Sequence, residues 1–108
     1  MAVSADRLAR NQVLFREVNE RLREMLDESV GATEFLCECS DTDCTENVSL
    51  DIPEYERVRA RSNQFVVAPG HEIPEIERVV SNGGRYLLVE KTREADYVER
   101  TDPRRRES

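Results

Sequence analysis

The amino-acid sequence predicts an α+β fold, in which a long amphipathic helix precedes a small, mostly antiparallel sheet with one short helix. Two observations carry this prediction. Apolar residues recur with helical spacing over about residues 4–29, and between residues 34 and 91 they alternate with polar residues or form short runs. The chain of 108 residues has room for one domain, and natural domains of this size often depend on a metal or a disulfide.

The first predicted element is a helix over about residues 4–29. Ser4 is a suitable N-cap residue, and Gly31 is a suitable residue to follow the last turn. The apolar side chains of this segment fall within about 120° of arc, which predicts one apolar face. They are Leu8, Leu14, Phe15, Val18, Leu22, Met25 and Leu26. The opposite side is charged and carries Arg7, Arg16, Glu20, Arg23 and Asp27.

This helix is long for so small a protein. At about 1.5 Å per residue it spans roughly 37 Å, which is more than the rest of the folded chain easily covers. Two interpretations follow from its length. Either the whole apolar face packs into the core, or part of it binds another copy of the chain or another protein.

A β-hairpin is predicted after this helix. Residues 34–39 alternate in polarity, so that Phe35, Cys37 and Cys39 share one face of a strand. Residues 47–52 alternate as well, which is typical of a half-buried strand. The segment between the two strands has the composition of a turn. The three cysteines of the chain therefore lie at the tip of the hairpin.

A short helix and a third strand are predicted next. Asp51 and Glu54 match a capping box, and the helix that they start extends to about Arg61. Residues 65–68 form a short apolar run that predicts a strand, and Pro69-Gly70 ends it.

A last hairpin is favoured around Asn82-Gly83-Gly84, with strands at residues 78–80 and 86–89. A different interpretation remains open for part of this segment. Residues 74–81 form a short helix, capped at Asn82, in that alternative.

The composition restricts the partners and the compartment. The formal net charge of −7 argues against general affinity for nucleic acid or an anionic membrane, because phosphate groups would repel the averaged surface. Residues 1–30 lack the apolar core of a signal peptide, and no run reaches the roughly 18 apolar residues of a membrane span. We therefore expect a cytoplasmic protein. In that reducing compartment, closely spaced cysteines indicate metal binding or redox chemistry rather than disulfides.

The three cysteines and the single histidine of the chain are all accounted for by one metal site. Cys37 and Cys39 project from one strand face, Cys44 returns across a turn, and His71 follows the Pro69-Gly70 turn. Structural zinc takes four nitrogen or sulfur ligands in a tetrahedron, and Cys3His is a common set. The sequence therefore predicts a zinc ion that holds the fold together. In the competing interpretation the cysteines are reduced and partly buried, and the histidine is an ordinary surface residue.

An iron–sulfur cluster is the alternative cofactor. The small CDGSH-type iron–sulfur proteins use a C-x-C…C…H ligand set, but their Pro-x-Cys-Asp-Gly-x-His run is absent, since Thr45-Glu46-Asn47 follows Cys44. A catalytic zinc keeps an open position for water, whereas four ligands close the site. Glu38 and Glu72 are expected in solvent, or as acceptors for the imidazole N–H. The sequence therefore predicts a structural metal and no enzyme.

The predicted domain comprises residues 1–91, with the helix at about 4–29 and a metal-bound α+β part at 34–91. Residues 92–108 are nearly all charged and lack apolar periodicity. Such a segment buries too little apolar surface to offset its ordering entropy. We predict that it is a flexible tail.

The sequence supports two functional hypotheses. The leading hypothesis is a zinc-binding interaction or regulatory module with a structural metal, which binds a protein partner or a second copy through its first helix. The alternative is a thiol-based redox or metal sensor that releases zinc on oxidation.

The sequence also contains five short motifs that share one family resemblance. They are RNQVLFREVNER at 10–21, FLCEC at 35–39, DTDCTE at 41–46, EYE at 54–56 and APGHE at 68–72. These strings resemble a family of small actinobacterial proteins, and the resemblance covers roughly residues 8–91. It implies a cytoplasmic actinobacterial protein with a Cys3His site, and it carries over no activity.

Overall fold

The computed structural model describes residues 4–27 and 29–106. Residues 1–3, Glu28 and residues 107–108, which the predicted domain, helix and tail include, lie outside it. The described part has the predicted α+β fold. Its helices are α1 (Ala5–Glu24), α2 (Ile52–Val58), α3 (Ala95–Arg100) and α4 (Pro103–Arg106), and its strands are β1 (Thr33–Leu36), β2 (Asn47–Leu50), β3 (Gln64–Val67), β4 (Glu77–Asn82) and β5 (Leu87–Lys91). Within the described ranges, no helix is both long and apolar enough to cross a membrane.

Helix α1 begins where the sequence predicts and ends earlier. The hydroxyl of Ser4 accepts a hydrogen bond from an amide of the first turn at 3.2 Å, which confirms this residue as the N-cap. The helix ends at Glu24, so it is shorter than the predicted 4–29. The reason is local. The carboxylate of Asp27 accepts hydrogen bonds from the amide and the hydroxyl of Ser29, and this competes with helical hydrogen bonding.

The inner face of α1, which packs against the rest of the protein, is mainly polar. Its buried residues are Ala9, Gln12, Val13, Arg16, Asn19 and Glu20. The guanidinium of Arg16 donates to the backbone oxygens of Ser62 and Val98 at 2.8 Å each and lies over the Phe65 ring. Such hydrogen bonds offset the cost of burying a charge. The prediction that Arg16 and Glu20 lie opposite the buried face is therefore wrong.

The predicted apolar face of α1 lies largely in solvent. Leu14, Val18 and Met25 are 62%, 45% and 75% exposed, and Leu22 is partly buried. We call these four residues the outer stripe. The interpretation in which the whole apolar face packs into the core is wrong. The polar contacts of the inner face fix the rotation of the helix, because turning it over would leave buried hydrogen-bonding groups without partners.

Strands β1 and β2 form the predicted antiparallel hairpin, in which Phe35 pairs with Val48. Strand β1 ends at Leu36, before the predicted end at residue 39. The backbone amide of Glu38 instead donates to the carbonyl oxygen of Val66 in β3 at 2.7 Å. The Cys37 amide still donates to the Glu46 carbonyl oxygen across the hairpin at 3.1 Å, so the backbone changes partners from the first sheet to the second between Cys37 and Glu38.

Helix α2 begins at the predicted capping box. The Asp51 carboxylate accepts from the Glu54 amide at 2.8 Å, and the Glu54 carboxylate accepts from the Asp51 amide at 2.9 Å. The Tyr55 ring stacks on Phe35 with the ring centroids 4.4 Å apart. This stacking packs α2 against the first hairpin.

The second sheet is antiparallel and has the strand order β3-β5-β4. Strands β4 and β5 confirm the predicted hairpin around Asn82, and the alternative helix at residues 74–81 is wrong. The Asn82 side chain accepts from the Gly84 amide at 2.8 Å, and Gly84 has a φ of 82°, which suits glycine.

The C-terminal segment differs from the predicted flexible tail, because it forms α3 and α4 and folds back onto α1. Val98 is fully buried within the hydrophobic core, and Asp102 is 1% exposed. The apolar content of the segment is low. However, Val98 packs in the core, and the buried carboxylate of Asp102 accepts a hydrogen bond from Arg59. The segment is therefore buried without an apolar sequence pattern.

Ion pairs attach this segment to α1 and α2, and those of Arg59 are buried. The guanidinium of Arg59 donates to Glu20 at 2.8 Å and also to Asp102. The guanidinium of Arg104 donates to Glu20 at 2.6 Å and to Glu56 at 2.7 Å. Burial by itself would raise the pKa of Glu20, but the hydrogen bonds from Arg104 and Arg59 lower it. These pairs therefore hold charges that would otherwise be costly to bury.

Replacing Arg59 with leucine should destabilise the protein by roughly 3–5 kcal/mol, because Glu20 and Asp102 would remain buried without their shared partner. Urea unfolding followed by circular dichroism measures this change. The matched control is Arg78→Leu, which removes an ion pair to Glu90 from a side chain that is 64% exposed. It should cost less than about 1 kcal/mol. Equal effects of the two substitutions would contradict the prediction.

Candidate metal centre

The structure brings the four residues of the predicted site together. The sulfur atoms of Cys37, Cys39 and Cys44 and a ring nitrogen of His71 all lie within 4.8 Å of one another. Cys37 and Cys39 are each 3% exposed, whereas Cys44 and His71 are partly exposed. The four donors therefore form one cluster that is buried on the side of the first two cysteines and reaches solvent on the other.

The turn between β1 and β2 positions the cysteines. Cys37 and Cys39 follow directly after β1. The Asp41 carboxylate then accepts from the Asp43 amide at 2.9 Å, and the Cys44 amide donates to the Asp41 carbonyl oxygen at 3.0 Å. Aspartate favours such turns because its side chain binds the backbone two residues further on. The turn carries the third cysteine back toward the first two.

His71 reaches the cluster through a turn that depends on proline and glycine. Its amide donates to the Ala68 carbonyl oxygen at 3.0 Å, and Gly70 between them has a φ of 90°. Proline at the second position and glycine at the third are typical of a type II turn, since the third position requires a positive φ. Because β3 ends at Val67, this turn places the imidazole beside the end of the strand.

Two of the distances between the donors match those around a tetrahedral metal ion. Nδ1 of His71 lies 3.6 Å from Sγ of Cys37 and 3.5 Å from Sγ of Cys44. An ion bound at about 2.3 Å to sulfur and about 2.0 Å to nitrogen keeps these atoms roughly 3.5 Å apart. A thiol–imidazole hydrogen bond accounts for one such contact. Two contacts to the same nitrogen, with a third thiol beside them, are typical of a four-coordinate site.

The three thiols compete for ionisation in the absence of a cation. The hydrogen bond from Cys37 lowers the pKa of Cys39 to about 5. The same hydrogen bond, together with burial, raises the pKa of Cys37 far above its usual range, and burial raises the pKa of Cys44. A bound cation removes this competition, because coordinated thiols lose their protons. The chemistry of the donor set therefore suits a metal ion.

A backbone amide of the second sheet supports the first cysteine. The Ala68 amide donates to Sγ of Cys37 at 3.1 Å. Hydrogen bonds of this kind orient a ligand and stabilise a thiolate. The spacing C-x-C-x4-C does not reveal this contact, because the amide comes from a residue more than thirty positions away. Cys37 and His71 are thereby held at the same strand end.

Glu38 is fully buried, so the expectation that it lies in solvent or accepts from the imidazole is wrong. Its carboxylate accepts from Nδ2 of Asn19 at 2.9 Å and from the Val66 amide at 3.0 Å. The Asn19 amide also exchanges two hydrogen bonds with the backbone of Leu36, at 2.8 and 3.0 Å. Burial raises the pKa of Glu38, while these two hydrogen bonds to its carboxylate lower it. Asn19 and Glu38 therefore fix the segment that carries the first two cysteines.

The sequence does not reveal Asn19 and Glu38 as residues that position the cysteines. The available signal is weak. Asn19 lies on the same side of α1 as Ala9 and Val13, and reading that side as the inner face would have placed a polar amide in the core. No local pattern identifies the partner of that amide, because Glu38 is nineteen residues further along the chain.

The two glutamates that adjoin the candidate ligands in sequence both accept hydrogen bonds from amides. Glu72 accepts from the Gly70 amide at 2.9 Å, within the turn that carries His71, and not from the imidazole. Glu38 is held by Asn19 and Val66. The cluster thus offers one ion four donors, which is the arrangement of structural sites rather than of sites that keep a position for water.

No protein-family model, no curated protein and no solved structure matches this chain. The resemblance to a family of small actinobacterial proteins therefore stays a prediction. The geometry of the site and the surfaces of the fold carry the functional argument.

Replacing Glu38 with glutamine should weaken the binding of a metal ion at this candidate site by roughly tenfold or more, since the new amide group opposes the donors of Asn19 or Val66. Competition with a zinc-chelating dye measures the affinity. Glu72→Gln is the matched control, because the glutamine carbonyl can still accept from the Gly70 amide. A control effect as large as that of Glu38→Gln would show that the loss reflects charge near the site and not the buried hydrogen bonds.

Proposed function

We propose that the protein is a small zinc-binding interaction or regulatory module of the cytoplasm, in which the metal is structural. The observation that carries this proposal is the closed group of four donors from Cys37, Cys39, Cys44 and His71. Three thiolates and one imidazole in a tetrahedron suit zinc first among the metals of the cell. An iron–sulfur cluster is the weaker alternative for the same ligands.

A structural role follows from what the ligands connect. Cys37, Cys39 and Cys44 belong to the loop of the first sheet, whereas His71 follows β3 of the second sheet. An ion held by all four would join the two sheets at the point where the Glu38 amide already donates to Val66. Structural zinc supplies on the order of 10 kcal/mol to small domains, which is comparable with the whole stability of an ordinary one.

The interaction role is supported by the outer stripe of α1. Leu14, Val18 and Met25 are more exposed than large apolar side chains in a packed core, and they lie on one side of a single helix. The inner face of the same helix is occupied by hydrogen bonds and ion pairs, for example those of Arg16 and Glu20. A helix that presents an apolar side to solvent suits recognition by another protein surface.

The alternative function, a redox or metal sensor, is favoured by one specific observation. Cys44 is partly exposed, whereas Cys37 and Cys39 are buried, so an oxidant can reach one sulfur of the cluster. Oxidation of two thiolates to a disulfide would remove two ligands and release the ion. Zinc release by mild peroxide that is reversed by a thiol would favour this alternative over a purely structural role.

The purified protein should contain one zinc ion per chain, as measured by elemental mass spectrometry against the protein concentration. Cys39→Ser should lower the zinc content to well below one per chain, because a hydroxyl is a poor zinc ligand. Asp43→Asn is the matched control in the same turn, where the carboxylate of Asp43 is exposed. It should leave the zinc content unchanged. Iron in place of zinc would support the cluster alternative, and no metal would contradict the proposal.

Chelation of the metal at neutral pH should loosen residues 35–71 before α1 melts. The ligands lie within that range, whereas most of α1 is held by contacts that do not involve the cluster. Hydrogen exchange measured by mass spectrometry, before and after verified metal removal, resolves the two regions. Unchanged exchange in residues 35–71 would contradict a structural role of the metal.

A further inference from the structure

We infer that the partner of α1 is a second copy of this chain, whose α1 packs against it in the antiparallel direction through the outer stripe. The inference rests on the proposed function, because it names the partner of the proposed interaction surface. Three features of the described residues carry it: the rotation of the helix, the symmetry of the stripe, and the order of the charges beside it.

The rotation of α1 is fixed, so a turn of the helix cannot cover Leu14, Val18 and Met25, whereas Leu22 already packs in part against the core of its own chain. Arg16 donates to two backbone oxygens of other elements, and Asn19 bonds Leu36 and Glu38. On the opposite side, Met25 and Leu14 are 75% and 62% exposed. Covering these side chains by rotating the helix would break the buried hydrogen bonds.

The outer stripe is arranged symmetrically about Val18. Leu14 and Leu22 lie four residues to either side of it, and Met25 lies seven residues beyond it. The position seven residues before it is Asn11, whose side-chain amide donates to the Ser40 carbonyl oxygen of its own chain at 2.8 Å. At about 100° per residue, all of these positions fall within roughly 40° of Val18 around the helix. The spacing of four and seven is that of the seam between paired helices. In an antiparallel pair with Val18 on the two-fold axis, Leu14 packs against Leu22 of the other copy.

The charges beside the stripe favour the antiparallel direction. Along one edge of the stripe the order is Arg10, Glu17, Arg21 and Glu24, so that the signs alternate from plus to minus. Reversing this order places opposite charges against each other. With Val18 on the two-fold axis, Arg10 is offset from Glu24 of the other copy by only about half a helical turn along the helix. Glu17 is offset from Arg21 of the other copy by the same amount. Charges that flank an apolar seam set the orientation of helix pairs.

The same edge disfavours a parallel pair. In that arrangement the charged edge of one copy faces the apolar edge of the other, which carries Phe15 and Leu22. An antiparallel pair instead joins the two charged edges to each other and the two apolar edges to each other. The contact is isologous and closes as a dimer, so it does not extend into a filament. Arg10 already pairs with Asp6 at an exposed position, so exchanging that contact for one with the other copy costs little, and Glu17 also has an interaction within its own chain.

Sedimentation equilibrium of the full, zinc-loaded chain tests the inference. We expect a concentration-dependent dimer with a dissociation constant below about 0.1 mM. Val18→Asp places two carboxylates at the two-fold axis and should shift the chain to monomer, with at least a roughly tenfold rise of the dissociation constant. Val80→Asp is the matched control, since Val80 is 43% exposed on β4 and does not belong to α1 or its outer stripe. It should leave the dimer unchanged.

A charge exchange tests the direction of the pair. Arg10→Glu should weaken the dimer by about tenfold, because the new carboxylate faces Glu24 of the other copy, and the double variant Arg10→Glu with Glu24→Arg should restore it. Arg78→Glu changes the net charge by the same amount on β4 and should have no effect. A double variant that is as weak as Arg10→Glu would overturn the antiparallel arrangement.

The zinc content of the same samples separates the two proposals. A chain that holds one zinc ion and remains monomeric up to about 0.1 mM overturns the dimer and leaves the metal proposal intact. In that case the outer stripe serves a different protein. A dimer without metal overturns the zinc module and leaves the pairing of α1 intact. Circular dichroism shows whether each variant retains its helix. This measurement distinguishes the loss of dimerisation from the unfolding of the chain.

Discussion

The buried carboxylate of Glu38 joins three parts of the structure that must meet for the metal centre to form. It accepts hydrogen bonds from Asn19 on α1 and from the backbone of β3, and it lies between Cys37 and Cys39 in the chain. A carboxylate is costly to bury unless its oxygens are paired, so this position favours one arrangement of helix and sheets. The cysteines are placed as a consequence, and the Pro69-Gly70 turn then adds the histidine from the second sheet.

The same constraint explains the unusual packing of α1. A helix normally buries its apolar side, and each buried apolar side chain contributes roughly 1.5–3 kcal/mol. Here the inner face instead carries Arg16, Asn19 and Glu20, each with partners on other elements. Leaving any of these groups unpaired would cost a comparable free energy. Leu14, Val18 and Met25 are therefore left exposed, and the candidate metal site and the proposed interaction surface depend on the same helix orientation.

The local elements and the ligand set could be predicted well from the sequence. Turn residues and caps act within a few positions, as the Asp51–Glu54 box and the Asn82–Gly84 turn illustrate. The four metal-binding candidates followed from residue type alone, since the chain has no other cysteine or histidine. The role of Glu38 could not be predicted, because a charged residue between cysteines resembles a solvent-exposed one until its distant partners are known. The fold of the C-terminal segment escaped prediction for the same reason, as Asp102 is buried against Arg59, which is forty-three residues away.

The sequence by itself determined the α+β class, the hairpins with their turns, and the identity of the four residues that form the candidate metal site. These depend on short-range rules of backbone conformation and on which side chains can bind a metal. Only the tertiary structure decided which side of α1 faces inward, that Glu38 and Arg16 are buried, and that the last residues pack onto the core. The physical reason is that burial of a polar group depends on a partner brought by another element, and apolar periodicity carries no information about that partner.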